Sequence, residues 1–364
     1  MIGLNAIQEP VWLSSIRSSA ASKFSSMDLP KENEEPWRYT DLRMLKMPAI
    51  QLSNGQSNVK LEMENAISMA DAIEAGLLDQ KFFDVNPKDK IEAMNTASWH
   101  DGFFIKVPKM SEQSVKIHVS SNSSTKNIIL LEPESSLTLY YDYTASGMST
   151  DFTQIIAGES SSINLISARK SENAFNFSSI QCNLEKNASF KQFIAVSGNN
   201  LTRIVSDIAL NGAGADADTT CLFLGRDKGH IDITTNAHHN VPETRSNIMS
   251  KGVLYGKSSS VYRGVINICK DAVKTSSYLS DITLKMGENA VANSIPSLKI
   301  DAADVQAGHK AAIGKIDEEQ IYYMMSRGLA REEAENMIVD GFFMPLINKV
   351  PQDMREAVNA VVRR

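Results

Sequence analysis

The sequence is poor in the features that mark several large classes of protein. It has three cysteines in 364 residues, Cys182, Cys221 and Cys269, and no two of them have C-x-x-C spacing. That number and spacing fit neither a disulfide framework nor a closed zinc site, and they suit a reducing compartment. No G-x-x-x-x-G-K-[ST] segment occurs in the sequence. The chain is therefore not expected to hydrolyse nucleotides itself, and any nucleotide hydrolysis linked to its function is expected to belong to a partner protein.

Long apolar runs and an excess of positive charge are also missing. No segment approaches the apolar length of a membrane span, and the first residues, MIGLNAIQEPVWLSSIRSS, do not combine a basic region with a long apolar stretch. We therefore expect no secretory signal, no membrane partner and a cytoplasmic location. The formal net charge of −6 argues against nucleic acid as a partner, because phosphate backbones attract basic surfaces.

The first 95 residues favour helices that are interrupted by proline. One apolar face at helical spacing lies near the N-terminus: Trp12, Leu13, Ile16, Ala20 and Phe24. Pro30 and Pro36 then break the pattern. The sequence predicts a second helix from about Leu61 to Leu78 and a short third helix from Asp89 to Ala97. At His100–Val107 a turn leads into a strand.

From about Val115 to Ile300 the chain consists of short β-prone runs separated by Ser, Asn, Asp and Gly. Eight of these runs are Val115–Val119, Asn127–Leu131, Ser136–Tyr143, Phe152–Ala157, Ser162–Ser167, Phe177–Leu184, Ser189–Val196 and Arg203–Leu210. Helical periods do not intervene, which excludes a parallel α/β sheet and makes the region all-β. The regular spacing fits a solenoid or a sandwich, and no strict repeat motif decides between them.

Helix signals return after the β region. Asp317 with Gln320 three residues later fits a capping box, and apolar residues follow at helical spacing. We expect a second helix over Arg331–Val339, breaks at Pro345 and Pro351, and a last amphipathic helix. The predicted order is therefore helical, then β, then helical.

Three stretches of the sequence resemble one known family. The first is Glu35–Leu42, EPWRYTDL. The second comprises His239–Pro242 (HNVP), Ser246, Lys251–Leu254 (KGVL) and Tyr262–Ile266 (YRGVI). The third and most specific runs from Ile295 (IPSLKI) through Asp304-Val305, His309 and Gly314 to IDEEQ at Ile316 and SRG at Ser326. Their order and coverage resemble the SufB/SufD family of iron–sulfur cluster assembly scaffolds, and its SufD side in particular.

This resemblance implies a mainly β fold with a right-handed parallel β-helix core. It implies an N-terminal helical domain over residues 1–98, the core over 99–313 and a C-terminal helical domain over 314–364. A member of this family is a non-catalytic scaffold that pairs with a SufB-like subunit through the β-helix and docks a SufC-like ABC-type ATPase through its C-terminal helices. ATP hydrolysis belongs to that ATPase. In isolation, such a chain could form a homodimer.

The functional histidine of the SufD side matches His309. An imidazole is a good ligand for iron, but a single one binds a cluster poorly because clusters are usually held by several thiolates. The resemblance therefore implies a transient iron–sulfur cluster shared with a SufB-like partner at the subunit interface, and none that is stable in the isolated chain. Reduced flavin is a further component that the complex could use.

The C-terminal helices would carry the ATPase-docking surface. Aromatic side chains beside helix breaks are suitable anchors for such a surface. The residues expected to form it are Tyr322, Tyr323, Arg327, Gly328, Phe342 and Phe343.

Several positions depart from the family patterns. Ser280 stands where SufB has an essential cysteine, and Lys310 stands where SufB has a glutamate, so both favour the SufD side. The Cys-Ser-His-Gly pattern of SufD reads Ala307-Gly308-His309-Lys310 here, which leaves no thiol beside the histidine. We interpret the three cysteines as small apolar residues. The doublet His238-His239 is interpreted as structural, because adjacent strand residues face opposite sides.

Two alternative functions remain open from the sequence. A β-helical carbohydrate-active enzyme would predict sugar cleavage, since solenoids can carry catalytic carboxylates along a groove, but the sequence singles out no such pair. A homodimeric scaffold that combines the SufB and SufD roles would predict cluster binding without a second scaffold. Ser280 in place of the cysteine counts against it.

Overall fold

The structure is a computed structural model that describes residues 9–45, 57–61, 66–83 and 86–363. The strands in these residues form two nine-stranded sheets. Sheet A contains, in spatial order, β1 (Ser57–Leu61), β4 (Glu112–Ser121), β6 (Ser136–Ala145), β8 (Ser162–Ser171), β10 (Ser189–Gly198), β12 (Asp216–Gly225), β14 (Arg245–Leu254), β16 (Thr275–Lys285) and β18 (Val305–Lys315). Sheet B contains β2 (Ala66–Ser68), β3 (Phe103–Val107), β5 (Ser124–Leu131), β7 (Met148–Ala157), β9 (Phe175–Leu184), β11 (Leu201–Leu210), β13 (His230–His239), β15 (Ser259–Ile268) and β17 (Val291–Ile300).

Successive strands alternate between the two sheets, and neighbours from β3 and β4 onward pair in parallel. This topology is a β-solenoid of about eight turns. It confirms the solenoid that the family resemblance implied and excludes the sandwich. All eight β-prone runs lie within strands of the solenoid.

The core of the solenoid follows from the two-residue period of its strands. Every second side chain points inward, and residues in register stack from turn to turn. Ile163, Phe190 and Ala217 are one such buried stack on sheet A. The corners use residues that tolerate a positive φ, such as Asn187 and Asp227.

The two ends of the solenoid differ. At the N-terminal end, β1 and β2 pair antiparallel to β4 and β3 and so cover the first turn. At the C-terminal end, β17 and β18 are the outermost strands of their sheets, and most of their side chains are partly or fully exposed. The last turn therefore leaves sheet edges that another chain could extend.

Helices α1 (Val11–Ser26), α2 (Met69–Glu74) and α3 (Lys90–Ser98) lie on the side of sheet B. Apolar residues of α1 and α2 pack with Phe104 of β3 and Ile128 of β5, and those of α3 pack with Phe177 of β9 and Leu201 of β11. The Asp89 carboxylate caps α3 by accepting from the backbone N–H groups of Ile91 and Glu92, both at 2.9 Å.

The predicted helix from about Leu61 to Leu78 is wrong over its first part. Leu61 ends β1 and Ala66–Ser68 forms β2, so the helix covers only Met69–Glu74; residues 62–65 lie outside the described residues. Pairing with the first solenoid turn overrides the local helical preference here, as tertiary context often does. The predicted first and third helices are confirmed.

Helices α4 (Glu318–Ser326), α5 (Arg331–Ile347) and α6 (Gln352–Val362) follow the solenoid. Side chains of α5 and α6 pack on the outer face of sheet A. The expected break at Pro345 is wrong, because α5 continues through it to Ile347. Burial of Leu346 and Ile347 against the sheet stabilises this last turn. Among the described helices, none is long and apolar enough to cross a membrane.

Candidate functional site

His309 lies in the exposed last turn of the solenoid. It is the register partner of Leu279 in β16, which is in turn the partner of Ile248 in β14. Leu279 and Ile248 are buried inside the solenoid, so His309 continues a column of inward-facing side chains. The His309 side chain itself is exposed, because β18 is the last strand of sheet A and no further strand covers it within the described residues. The imidazole therefore stands at the open mouth of the solenoid, where a partner chain could reach it.

Ser280 and Lys310 are register partners on the outer side of the same two strands. Adjacent strand residues point to opposite faces, so both side chains are directed away from the face that His309 occupies. Within the described residues, no group of three or more His, Cys, Asp or Glu side chains is arranged to hold a metal ion. The face that His309 occupies therefore carries no complete set of metal ligands among the described residues.

The three cysteines do not gather near His309. Cys182 and Cys221 lie inside the solenoid, and burial raises the pKa of both thiols well above the ordinary value. They are thus held as thiols, which are poor nucleophiles and poor metal ligands. Cys269 is partly exposed at a corner, 3.4 Å from Oδ1 of Asn240.

The doublet His238-His239 divides as its strand position predicts. His239 is buried inside the solenoid, where its Nδ1 lies 2.7 Å from Oγ1 of Thr244 and its Nε2 lies 2.9 Å from Oγ of Ser246. Burial lowers the pKa of His239 to about 4, which keeps the ring neutral. His238 faces outward, with Nε2 3.8 Å from Oδ1 of Asp207.

The segment containing Trp37 and Thr40 is held to the outer face of sheet B by a buried charge cluster. Asp232 is fully buried and binds Nη1 of both Arg203 and Arg263, the latter at 2.6 Å. Its Oδ2 also accepts from the Thr40 hydroxyl at 2.5 Å.

The same two arginines bind the segment directly. Arg203 stacks on Trp37 at 4.1 Å and donates to the Pro36 carbonyl at 2.7 Å, and Arg263 donates to the Arg38 carbonyl. We call Arg203, Asp232 and Arg263 the clasp. Through Arg263 the clasp joins two stretches that resemble the family, Glu35–Leu42 and Tyr262–Ile266. The sequence alone did not show that these stretches are in contact.

Comparison with known proteins decides the family. Residues 115–342 match the family model described as SUF system FeS cluster assembly, SufBD core domain. The chain belongs to the SufBD family. The matched residues begin in β4 and end in α5, so the match covers most of the solenoid, including its last strand.

Among curated relatives of this SufBD chain, the iron–sulfur cluster assembly protein SufD of Bacillus subtilis is 24% identical, over 98% of this chain and 94% of the relative. A SufBD family protein of Mycobacterium tuberculosis is 22% identical over 99% and 95%. SufB of Bacillus subtilis is 27% identical over 77% of this chain and 63% of its own length. The near-complete coverage of the SufD relative supports the SufD-like assignment.

The SufBD chain exposes part of the expected docking residues and buries one of them. Tyr322 and Tyr323 in α4 are 76% and 59% exposed. Arg327 lies over the Tyr323 ring at 5.3 Å, and Gly328 follows with a φ of +97°. Phe343, in contrast, is 1% exposed and packs against sheet A, so it belongs to the core and not to an exposed surface.

Phe342 is intermediate between these cases. It is partly buried beside the same core, and the Lys251 ammonium lies 4.5 Å from the centre of its ring. The Phe342 carbonyl also accepts a hydrogen bond from that ammonium at 2.7 Å. The exposed aromatic surface of the tail is therefore centred on α4.

Proposed function

We propose that this chain is a SufD-like, non-catalytic scaffold subunit of an iron–sulfur cluster assembly complex. It pairs with a SufB-like subunit at the open end of the solenoid and contributes His309 to a transient cluster shared between the two chains. It docks a SufC-like ATPase, which supplies the ATP hydrolysis, through α4 and the adjoining part of α5. Reduced flavin is included as an electron source to be tested in the assembled complex.

The position of His309 is the observation that carries this proposal. The first turn of the solenoid is covered, whereas β17 and β18 each pair with a strand on one side only within the described residues. A partner that adds strands there would place its own inward-facing side chains above His309, since same-face residues stack in register. Thiolates or carboxylates from that partner would complete the ligand set that one imidazole leaves open.

His309→Ala is expected to abolish cluster assembly while leaving the complex intact. The test is co-purification with a SufB-like and a SufC-like protein, followed by anaerobic reconstitution and optical spectroscopy, with and without reduced flavin. His118→Ala is the matched control, because His118 is a partly exposed histidine near the covered end, on β4. If His309→Ala assembles clusters at the wild-type rate, the site is wrong. If the wild-type chain binds neither partner, the scaffold role is wrong.

Tyr323→Ala is expected to weaken binding of the ATPase by about tenfold or more, as truncation of an aromatic anchor does. The substitution also removes the ring under Arg327. Tyr39→Ala is the control, because Tyr39 is likewise exposed and likewise lies under an arginine, Arg38, at 5.2 Å. Binding can be measured by calorimetry with the purified ATPase. Equal losses in both variants would contradict docking at α4.

A further inference from the structure

Gly264 in β15 leaves a notch on the inner face of sheet B, and the Leu279 side chain of β16 fills it. A Cβ atom at position 264 would lie 2.1 Å from Cδ1 and 3.1 Å from Cγ of Leu279. Carbon atoms normally pack at roughly 3.5–4.0 Å. The backbone of Gly264 does not adopt a positive φ. The close approach of Leu279, and not an unusual backbone conformation, is therefore what requires glycine here.

Leu279 is also the residue beneath His309. The two are register partners in β16 and β18, and neighbouring strands lie about 5 Å apart, so their side chains stack on one face. Ile248 occupies the same position one turn below, in β14. Leu279 is fully buried, whereas His309 is exposed. Leu279 is thus enclosed by Ile248 below and by Gly264 across the interior, and its side toward His309 is the side that leads to the open end.

The backbone of Gly264 is held by both neighbouring strands and from outside the solenoid. β15 pairs with β13 on one side and with β17 on the other. The adjacent Arg263 points outward, where its Nη1 lies 2.6 Å from Oδ1 of Asp232 and its other nitrogen donates to the Arg38 carbonyl. A methyl group added at position 264 would therefore displace the flexible end of Leu279 toward His309, because the strand itself is fixed.

Pro296 bounds His309 on a second side. It is the register partner of Gly264 in β17, as His309 is the register partner of Leu279 in β18. Since Gly264 meets Leu279 across the interior, Pro296 faces His309 in the same way one turn further. The proline ring has little conformational freedom. Leu279 and Pro296 thus form two walls of a seat for the imidazole, and the seat is open toward the end of the solenoid.

We propose that Leu279 is a positioning residue for His309, and that Gly264 lacks a side chain so that Leu279 can stand where it directs the imidazole out of the solenoid. This inference rests on the proposed function, because the direction of the imidazole matters when His309 binds the shared cluster. Leu279 itself does not touch the cluster. Metal ligands must be held within about 0.5 Å of their productive geometry, so a shift of Leu279 by the width of a methyl group is large enough to impair assembly.

Gly264→Ala in the full chain is the first test, and the nuclear magnetic resonance signal of the His309 ring is its readout. With isotope-labelled histidine, that signal is assigned by its loss in His309→Ala, and it should shift in Gly264→Ala. Gly225→Ala is the matched control, because its added Cβ would lie 2.7 Å from Cδ2 of another buried leucine, Leu254. Leu254 is the register partner of Lys285 and does not lie beneath His309. The His309 signal should therefore keep its wild-type position in the control.

Substitutions at Leu279 separate a steric seat from general destabilisation. Gly264→Ala adds one carbon atom and Leu279→Val removes one, so the double variant conserves volume and should return the His309 signal to its wild-type position. Leu279→Ala, which empties the seat, should shift the signal even if Gly264→Ala does not fold. A wild-type signal in Leu279→Ala or in folded Gly264→Ala would overturn the proposal. A shift in Gly264→Ala that the double variant keeps would also overturn it.

Cluster assembly with the SufB-like and SufC-like partners is the functional readout. Gly264→Ala should slow assembly by about tenfold or more, as misplacement of a reacting group does, whereas the double variant and Gly225→Ala should assemble clusters near the wild-type rate. Unchanged assembly in Gly264→Ala, with assembly lost in His309→Ala, would overturn the positioning role and leave the proposed function standing. Wild-type assembly in His309→Ala would overturn the proposed function instead, and the ring signals of the free chain would still decide whether Leu279 positions the imidazole.

Discussion

Asp232→Asn is expected to lower the free energy of unfolding by about 3–5 kcal/mol, because it leaves two buried guanidinium groups without their shared counter-charge. Arg203 and Arg263 are both nearly buried, and the Thr40 hydroxyl loses its acceptor as well. The N-terminal segment should detach before the solenoid unfolds, since the clasp holds that segment through contacts that converge on Asp232.

Two measurements separate local release from global unfolding. Fluorescence of Trp37, which stacks on Arg203, should change at a lower urea concentration than the far-ultraviolet signal of the strands, and a protease should cut the N-terminal segment faster. Asp218→Asn, a substitution of an outward-facing aspartate on β12, is the control and should change neither. A single transition at the wild-type midpoint for Asp232→Asn would show that the clasp does not hold the segment.

Much of the fold could be predicted from the sequence because its strands have a strong period. The run Ser189–Val196 was predicted within two residues of β10, for example. The solenoid itself could not be derived from a repeat, because its turns differ in length. The step from Ser162 to Ser189 adds 27 residues, whereas the step from Arg245 to Ser276 adds 31. Only the family motifs distinguished it from a sandwich.

The candidate site rests on one residue. His309 was predicted from its motif and that role stays a prediction, while the exposure of its side chain follows from its place on the last strand. Phe343 was misplaced because the sequence cannot show which side of α5 faces sheet A. The clasp was missed because its charges are far apart in sequence, at Arg203, Asp232 and Arg263, and because isolated charges ordinarily indicate solvated surface.

Asp281→Asn is expected to raise the free energy of unfolding at neutral pH, whereas Asp232→Asn is expected to lower it. Asp281 is fully buried inside the solenoid, in one column with Cys221 and Ser250. Burial raises the pKa of Asp281 to about 6, although the nearby hydroxyls of Ser294 and Ser250 lower it in part. Those hydroxyls influence the carboxyl without meeting hydrogen-bond geometry, and within the described residues neither carboxyl oxygen has a hydrogen-bond partner. In the part of the chain that the structure describes, no cation offsets the charge of Asp281 as Arg203 and Arg263 offset that of Asp232.

The sign of the pH dependence follows from the raised pKa. In the unfolded chain the carboxyl ionises near pH 3.9, whereas in the folded chain it stays protonated up to about pH 6. The Asp281 carboxyl therefore costs nothing below about pH 4, costs progressively more as the pH rises to about 6, and costs about 3 kcal/mol above that. Asp281→Asn, which keeps the size and cannot ionise, should raise stability by up to that amount at pH 8 and change little at pH 3.5.

Urea unfolding of both proteins across pH 3.5–8 tests this expectation. The control is Asp271→Asn, an exposed aspartate near the same end of the solenoid, whose profile should follow the wild type. A constant difference between Asp281→Asn and the wild type at every pH would mean that Asp281 does not titrate in the folded chain. Because the Asp281 column leads to Ala311 in β18, the cost of ionisation falls on the turn beneath His309. A carboxyl that destabilises this turn at neutral pH would be relieved by any partner that covers the open end and supplies a donor or a cation to it.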